Sequence, residues 1–487
     1  MKHSKSVIDW LVCKFGGSSV ATAENWENIY KIVAQNLALQ KQVVVVCSAL
    51  KGITDVLKSA LERASKNAST DLQLAEIKNR HFQLAHALGF DGRALLKQPL
   101  ESLEKVLKEC AKCGNTPPLR ARILSYGEIL STHLGAHYLE QKGLPALWWD
   151  ARDLLAATGP AQGQGAYLRA KCEAAADPNL QEQLSRAGQL HITQGFIVRT
   201  STGETALLGR GGSDCSAAYL AAKLDASRLE IWTDVPGMFT ANPHHIPNAR
   251  IIRKLSYQEA EALAMTGAKV LQPQCIAPAQ KNNIPIFIKW TRYPEMPGTE
   301  ILEVENSEAL PGLRALTMRK DVFLMRRDAL QPDTWEFLKD IMNQEDANHL
   351  HLASLSINQH TIETIIDPML TPFNHRDTLR ILRELEQRAN VELETGVSSL
   401  SLVGNDTDTL YEDLKVALAN LNPGQLRTLG SAGKNHLSLY LDYPHIEEFL
   451  GSMHRLLLEN HAECQTFGPT WHELSQPNFL PEIGQIS

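Results

Sequence analysis

Two glycine clusters in the chain each carry a cation. In VCKFGGSSV, residues 12–20, Lys14 precedes Gly16, Gly17, Ser18 and Ser19. A lysine at a strand end, followed by a turn without side chains, lets backbone N–H groups and hydroxyls close on an anion. It is not a Walker loop, in which the lysine comes after the glycines. In LLGRGGSDCSAAYLAAKL, residues 207–224, Arg210 stands among Gly209, Gly211 and Gly212, ahead of an alanine-rich helix that Ser213 or Asp214 is placed to cap. A helix amino terminus has unpaired N–H groups and the positive end of the dipole, and an arginine adds a planar fork for carboxylate or phosphate. Each cluster alone also reads as an ordinary strand-to-helix turn. Two of them in one chain point to anion chemistry.

The elements that must position these clusters follow from the apolar rhythm. VIDWLVCKF, QVVVVCSAL, LPALWWDA, HITQGFIV, LEIWTDV and IPIFIKW read as buried strands, alternating with helical stretches from residue 7 to about 300. One helix, around 119–142, sets Ile123, Tyr126, Leu130, Leu134 and Tyr138 in a single stripe. This grammar predicts an α/β unit with a mostly parallel sheet sandwiched by helices, with ligands at the carboxyl ends of the strands. Beyond about 305 the order becomes helix, strand, strand at WEFLKDIMN, HLHLASLSI and TIETIID, and then DTLRILRELEQ, VELETGVSSLSLVG, TLYEDLKVALANL and HLSLYLD repeat a similar pattern. Two small α+β units fit, with MHRLLLEN closing the second and TFGPTWHELSQPNFLPEIGQIS as a linker-like or ill-ordered end. The expected domains are 1–305, 306–390, 391–470 and a tail, 471–487.

Composition narrows the function. A chain of 487 residues with 43% hydrophobic and 21% charged residues fits a globular protein of roughly two to four domains. No apolar run approaches the ~20 residues of a membrane span, and the amino terminus lacks a leader pattern, so a cytoplasmic location is expected. A net charge of -7 without a basic block argues against nucleic acid. Of the eight cysteines only Cys110 and Cys113 form a C-x-x-C pair, and His133 and His137 lack the glutamate of H-E-x-x-H. Packed or solvated side chains are the expected reading of both, and no protein metal ligand is assigned.

KFGGSSV, SYGEILST (125–132), GRGGSD (209–214), WTDVPGMFTANP (232–243) and GAKVLQP (267–273), in this order, resemble the aspartate kinases of the amino-acid kinase family. The resemblance spans residues 7–300, and the two later units look like paired ACT regulatory domains. It implies transfer of the γ-phosphoryl group of MgATP to the β-carboxylate of L-aspartate, giving 4-phospho-L-aspartate for lysine, threonine and methionine biosynthesis. Lys14 with Gly16 and Gly17 would then stabilise the phosphoryl group in flight, and Ser18, Gly211 and Gly212 would line the phosphates. Glu128 matches the glutamate that binds the substrate amine. Arg210 would clamp a substrate carboxylate, with Ser48, Thr54 and Ser213 as hydroxyl partners, and Asp214 would orient Lys14 or the substrate. Thr233, Asp234 and Phe239 match nucleotide positions, and Lys269 matches a phosphate-contacting lysine. Magnesium would be held mainly by phosphate oxygens and water. The family also implies feedback by lysine or threonine at the ACT units, and a homodimer or higher homo-oligomer.

The sequence departs from the family at several points. Phe239, Asn242, Pro243 and His244 stand where a tyrosine and Asp-Pro-Arg are usual, and Gln272 replaces a histidine. The missing arginine removes a phosphate cation, for which Arg250 or Arg253 could substitute. Two other readings stay open: a related kinase for glutamate, acetylglutamate or a nucleotide, and a catalytically weak amino-acid sensor. The tail FGPTW also resembles the kinase half of proteins fused to a diaminopimelate decarboxylase, with no decarboxylase half in the sequence.

Overall fold

The computed structural model describes residues 8–476, apart from 160–162, 269, 305–311, 332, 335, 338, 340–349, 351, 370–374, 423, 432, 443 and 460–465. They form two compact units, Met1–Met238 with Val270–Glu303, and Phe239–Lys269 with Val304–Ser487. The second unit thus takes in 239–269 from inside the stretch expected to be catalytic.

In the first unit the strands run in the order Ala146–Trp149, Leu190–Gln194, Gln42–Cys47, Trp10–Phe15, Arg228–Thr233, Ile286–Trp290 and Thr299–Leu302. All neighbours are parallel except the last pair. Strand alternation sorts the residues into two layers. Leu11, Cys13 and Phe15 join Val43, Val45, Ile192 and Trp26 in one core, beneath the helices Ala23–Ala38 and Pro117–Gln141. Val12 and Lys14 therefore face the opposite layer, where the helix Gly212–Leu224 packs its alanines.

Three expectations change. HITQGFIV is not one strand: it breaks at Gly195 and Phe196, whose φ is 69°, and Ile197–Arg199 pairs instead with Thr205–Leu207. A Cβ at Gly195 would lie 2.5 Å from Ser213 Cβ, so the chain leaves the sheet where the second glycine loop passes. The helix Pro117–Gln141 is buried well beyond one stripe, and Tyr126 is only half-buried while Glu128 is buried. Neither Ser213 nor Asp214 caps the helix Gly212–Leu224, since Gly211 is the cap residue with φ 67° and Asp214 turns to Lys14.

In the second unit six antiparallel strands run in the order Leu352–Ile357, Thr361–Ile366, Leu313–Asp328, Glu392–Gly404, His436–Leu441 and Leu426–Gly430. With the helices His375–Ala389 and Thr407–Ala419 this is the α+β, ACT-like architecture. Leu313–Asp328 serves both halves, pairing with Thr361–Ile366 and with Glu392–Gly404. The helix expected at WEFLKDIMN lies largely outside the described residues. The tail is not all linker: Phe467–Thr470 pairs with Arg250–Ile252, and Trp471–Leu474 is a helix with a Thr470/Glu473 capping box.

Gly135 tests the packing of the first layer. A Cβ there would lie 2.1 Å from Cη2 of the fully buried Trp26. Gly135→Ala gains about 1 kcal/mol of helix propensity but overpacks a core at a cost of about 1 to 3 kcal/mol. A lower urea midpoint is expected, and an unchanged or higher one would contradict this packing.

Candidate active site

Lys14 is the last residue but one of the central strand Trp10–Phe15, and Asp214 lies in the first turn of the helix Gly212–Leu224. Their side chains meet with Nζ 2.6 Å from Oδ1, at 11% and 9% exposure. A carboxylate there is favoured by the helix amino terminus as well as by the lysine. The pair brings the two glycine clusters together in space.

The first loop is pinned from both sides. Gly16 N–H donates to Trp232 O at 3.2 Å, Ser48 N–H to Phe15 O at 3.1 Å, and Lys51 N–H to Gly17 O at 3.1 Å. A Cβ on Gly17 would come 2.8 Å from Ala49 O, so only glycine allows this approach. Among the described residues, no backbone partner takes the N–H groups of Gly17, Ser18 and Ser19. Successive free N–H groups form a concavity for an anion. Ser19 is a structural tie, its Oγ 2.7 Å from Thr291 Oγ1.

The second loop turns through Gly209 and Gly211, both at positive φ. Gly212 N–H is spent on Gly209 O, and Asp214 and Cys215 N–H on Gly211 O. The N–H groups of Gly211 and Ser213 have no backbone partner among the described residues. Gln272 lies against this loop: a Cβ on Gly211 would meet its Cγ at 1.9 Å. Arg210 is exposed on the loop and Ser213 is half-buried.

Glu128 approaches from the helix Pro117–Gln141. Gly127 permits the approach, since a Cβ there would lie 2.7 Å from Ala49 Cβ. The carboxyl is fully buried, and desolvation pushes its pKa up to about 8, opposed by a hydrogen bond from the Ala49 amide. Its Oε2 has no partner among the described residues. A buried, unsatisfied carboxyl of this kind suits a cationic ligand group. Ser48 and Thr54 flank the same segment, Thr54 in the first turn of the helix Ile53–Ser65.

The later motifs divide. Thr233 and Asp234 sit at the end of the strand beside Trp10–Phe15, with Thr233 Oγ1 3.2 Å from Asp234 Oδ1. Phe239 falls in the second unit, where its ring meets Trp471 edge-on at 5.9 Å. Lys269 lies outside the described residues. Arg250, considered as a substitute phosphate cation, donates from Nε to Gly468 O and lies 5.9 Å from the Phe467 ring. Cys110 is buried as a free thiol, and His133 packs on Trp148 and bonds Ile129 O. The described residues hold no group of three His, Cys, Asp or Glu able to take a metal ion. Sequence reading missed Ala49, whose backbone does the work and leaves no side-chain signal. It noted Gln272 only as a departure.

The raised pKa of Glu128 fixes the sign of a pH effect. The native state keeps a proton that the unfolded state has released, so Glu128 stabilises the fold below its unfolded pKa, and that contribution is lost as pH rises toward 8. Glu128→Gln removes the titration. Melting temperatures from pH 4.5 to 8.5 should show the variant gaining on the wild type as pH rises, and a pH-independent difference would contradict the buried assignment.

The profile of the amino acid kinase family matches residues 9–289. The lysine-sensitive aspartokinase 3 of Escherichia coli (strain K12) is 30% identical over 459 residues, which cover 92% of this chain and 99% of that protein. The crystal structure of E. coli aspartokinase III in complex with aspartate and ADP (R-state) superposes with a TM-score of 0.76 at 28% identity, covering 93% of this chain and 100% of that one. Its complex with lysine and aspartate (T-state) gives 0.72 at 27% identity, with the same coverage.

Proposed function

The chain belongs to the amino acid kinase family, and from that premise we propose how its site transfers the γ-phosphoryl group of ATP to the β-carboxylate of L-aspartate. It is an aspartate kinase in reaction class, a phosphotransferase whose acceptor is a carboxyl group. The observation that carries the reading is the buried Lys14–Asp214 pair between two loops with free N–H groups.

A carboxylate is already a nucleophile at neutral pH, so this chemistry needs positioning and charge neutralisation rather than a strong base. Lys14 meets the charge that spreads over the phosphoryl group in flight, Asp214 aims its ammonium, and the N–H groups of Gly17, Ser18, Gly211 and Ser213 take phosphate oxygens. Glu128 takes the substrate ammonium, whose positive charge favours the carboxylate so that the Glu128 proton passes to solvent, and which fills the open side of Oε2. Arg210, Ser48 and Thr54 hold the carboxylates. Thr233 and Asp234 serve the nucleotide. Magnesium, when bound, neutralises phosphate charge, held mainly by phosphate oxygens and water.

We assign feedback to the second unit, with lysine as the effector, on the likeness to a protein crystallised with lysine. A homodimer is the assembly proposed. No helix among the described residues is long and apolar enough to cross a membrane.

Hydroxylamine trapping of the acyl phosphate tests the reaction: aspartate with ATP should yield the hydroxamate, while glutamate, acetylglutamate and nucleoside monophosphates should not support turnover. In the same assay Glu128→Gln should raise the aspartate KM by about 30-fold or more, since an unpartnered buried charge costs about 2 to 5 kcal/mol, and leave the ATP KM within threefold. An unchanged aspartate KM would remove Glu128 from the substrate site.

A further inference from the structure

A cleft in the first unit lies along the helix Pro117–Gln141 but is lined by none of the residues assigned to the transfer. It opens between that helix, the helix Gly92–Cys113 and the strand Ala146–Trp149. About 290 Å³ is open to the centres of water molecules, and at ~10 to 15 Å³ per water this takes about twenty to thirty. That is ample for a two-ring organic molecule. Pro99 stands on the wall in the interior of its helix, where a proline forgoes a backbone hydrogen bond.

Two guanidiniums line the cleft, and each is braced by a carboxylate that does not. Arg152 gives Nε to Asp150 Oδ1 at 2.8 Å and Nη2 to Asp150 Oδ2 at 2.5 Å, while its Nη1 reaches Thr205 Oγ1 at 2.9 Å. Arg122 Nη1 donates to Glu109 Oε2 at 2.9 Å. Among the described residues no Asp or Glu lines the cleft, so it offers cationic donors and no partner for an ammonium. Each guanidinium already shares its charge, which suits one negative charge held through the two oxygens of a carboxylate. Burial raises the pKa of the Tyr126 phenol, opposed by the Arg122 charge, a hydrogen bond with Ser102 and the Arg152 charge, so both guanidiniums stand near that ring. The remaining wall is aromatic. Trp148 is fixed by its Nε1–H to Thr132 Oγ1 at 3.0 Å and packs on His133 with ring centroids 4.4 Å apart. Tyr126 and Trp148 together favour a ligand with a flat ring.

We propose that this cleft binds an aromatic carboxylate that lacks an ammonium group, its carboxylate on Arg122 and Arg152 and its ring against Tyr126 and Trp148. An amino acid is a poor fit, because its ammonium would meet no acid there. The site is separate from the loops around Lys14, and its test does not use kinase activity.

Titration calorimetry of the full chain with indole-3-acetate and with 4-hydroxyphenylacetate should give saturable binding for at least one of them. Indole lacks the carboxylate, acetate lacks the ring and tryptophan adds the ammonium, and each should bind at least tenfold more weakly. Saturating ADP and aspartate should leave the binding unchanged. Arg122→Gln, at a partly exposed ion pair, should weaken it at least tenfold with a melting temperature near the wild type, and Ser102→Phe, which fills the cleft, should act likewise. Absence of heat from both acids, binding of indole, acetate or tryptophan as tight as theirs, binding that survives both variants, or displacement by ADP or aspartate would overturn the proposal.

Discussion

Everything at the site depends on one buried ion pair. Lys14 and Asp214 come from elements about 200 residues apart, and each would be costly to bury alone. Removing one partner of such a pair typically costs about 3 to 5 kcal/mol, so the pair fixes the strand end and the helix amino terminus against each other. The glycines at 17, 127 and 211 follow from it: each stands where a Cβ would collide with the backbone or side chain that closes the site. Sheet alternation does the rest, by giving Lys14 the face opposite the large aromatic core.

The electrostatics of the free protein suit charge that arrives with the substrates. The unpaired N–H groups in both loops and the raised pKa of Glu128 are two forms of the same condition, a site built around charges not yet present. In the proposed reaction an ammonium beside Glu128 would convert an awkward buried acid into a paired carboxylate, and phosphate oxygens would complete the loops. Binding and folding demands therefore oppose each other at this site, as expected where stability is given up for function.

The sequence made the strand ends and both loops legible, because short apolar runs next to glycine turns have few other readings. Helix Pro117–Gln141 was legible in place but not in depth, since one apolar stripe says nothing of small residues such as Gly127 and Gly135 that let its other faces be buried. The cap on Gly212–Leu224 misled for a physical reason: an aspartate in a helix's first turn can bond the backbone or a distant cation, and only the fold supplies Lys14. The break after Gln194 was hidden because Phe196 carries a positive φ that its residue type does not advertise. Phe239 and Trp471 show the same limit in the second unit, where the tail read as linker-like or ill-ordered supplies a ring that meets Phe239 edge-on.

The central claim is that Lys14 acts on charge that develops during transfer, and single-turnover kinetics of Lys14→Met measures that directly. The substitution keeps the stem and removes the charge, and Asp214→Asn in the same chain removes the orphaned carboxylate so that folding is not the variable. Loss of one well-placed donor costs about 10² to 10³ in rate, so the account predicts a fall of at least that size in the transfer step, with ATP and aspartate bound within about tenfold of wild type. A variant that keeps its transfer rate and loses only ATP affinity would make Lys14 a ground-state clamp and contradict the account.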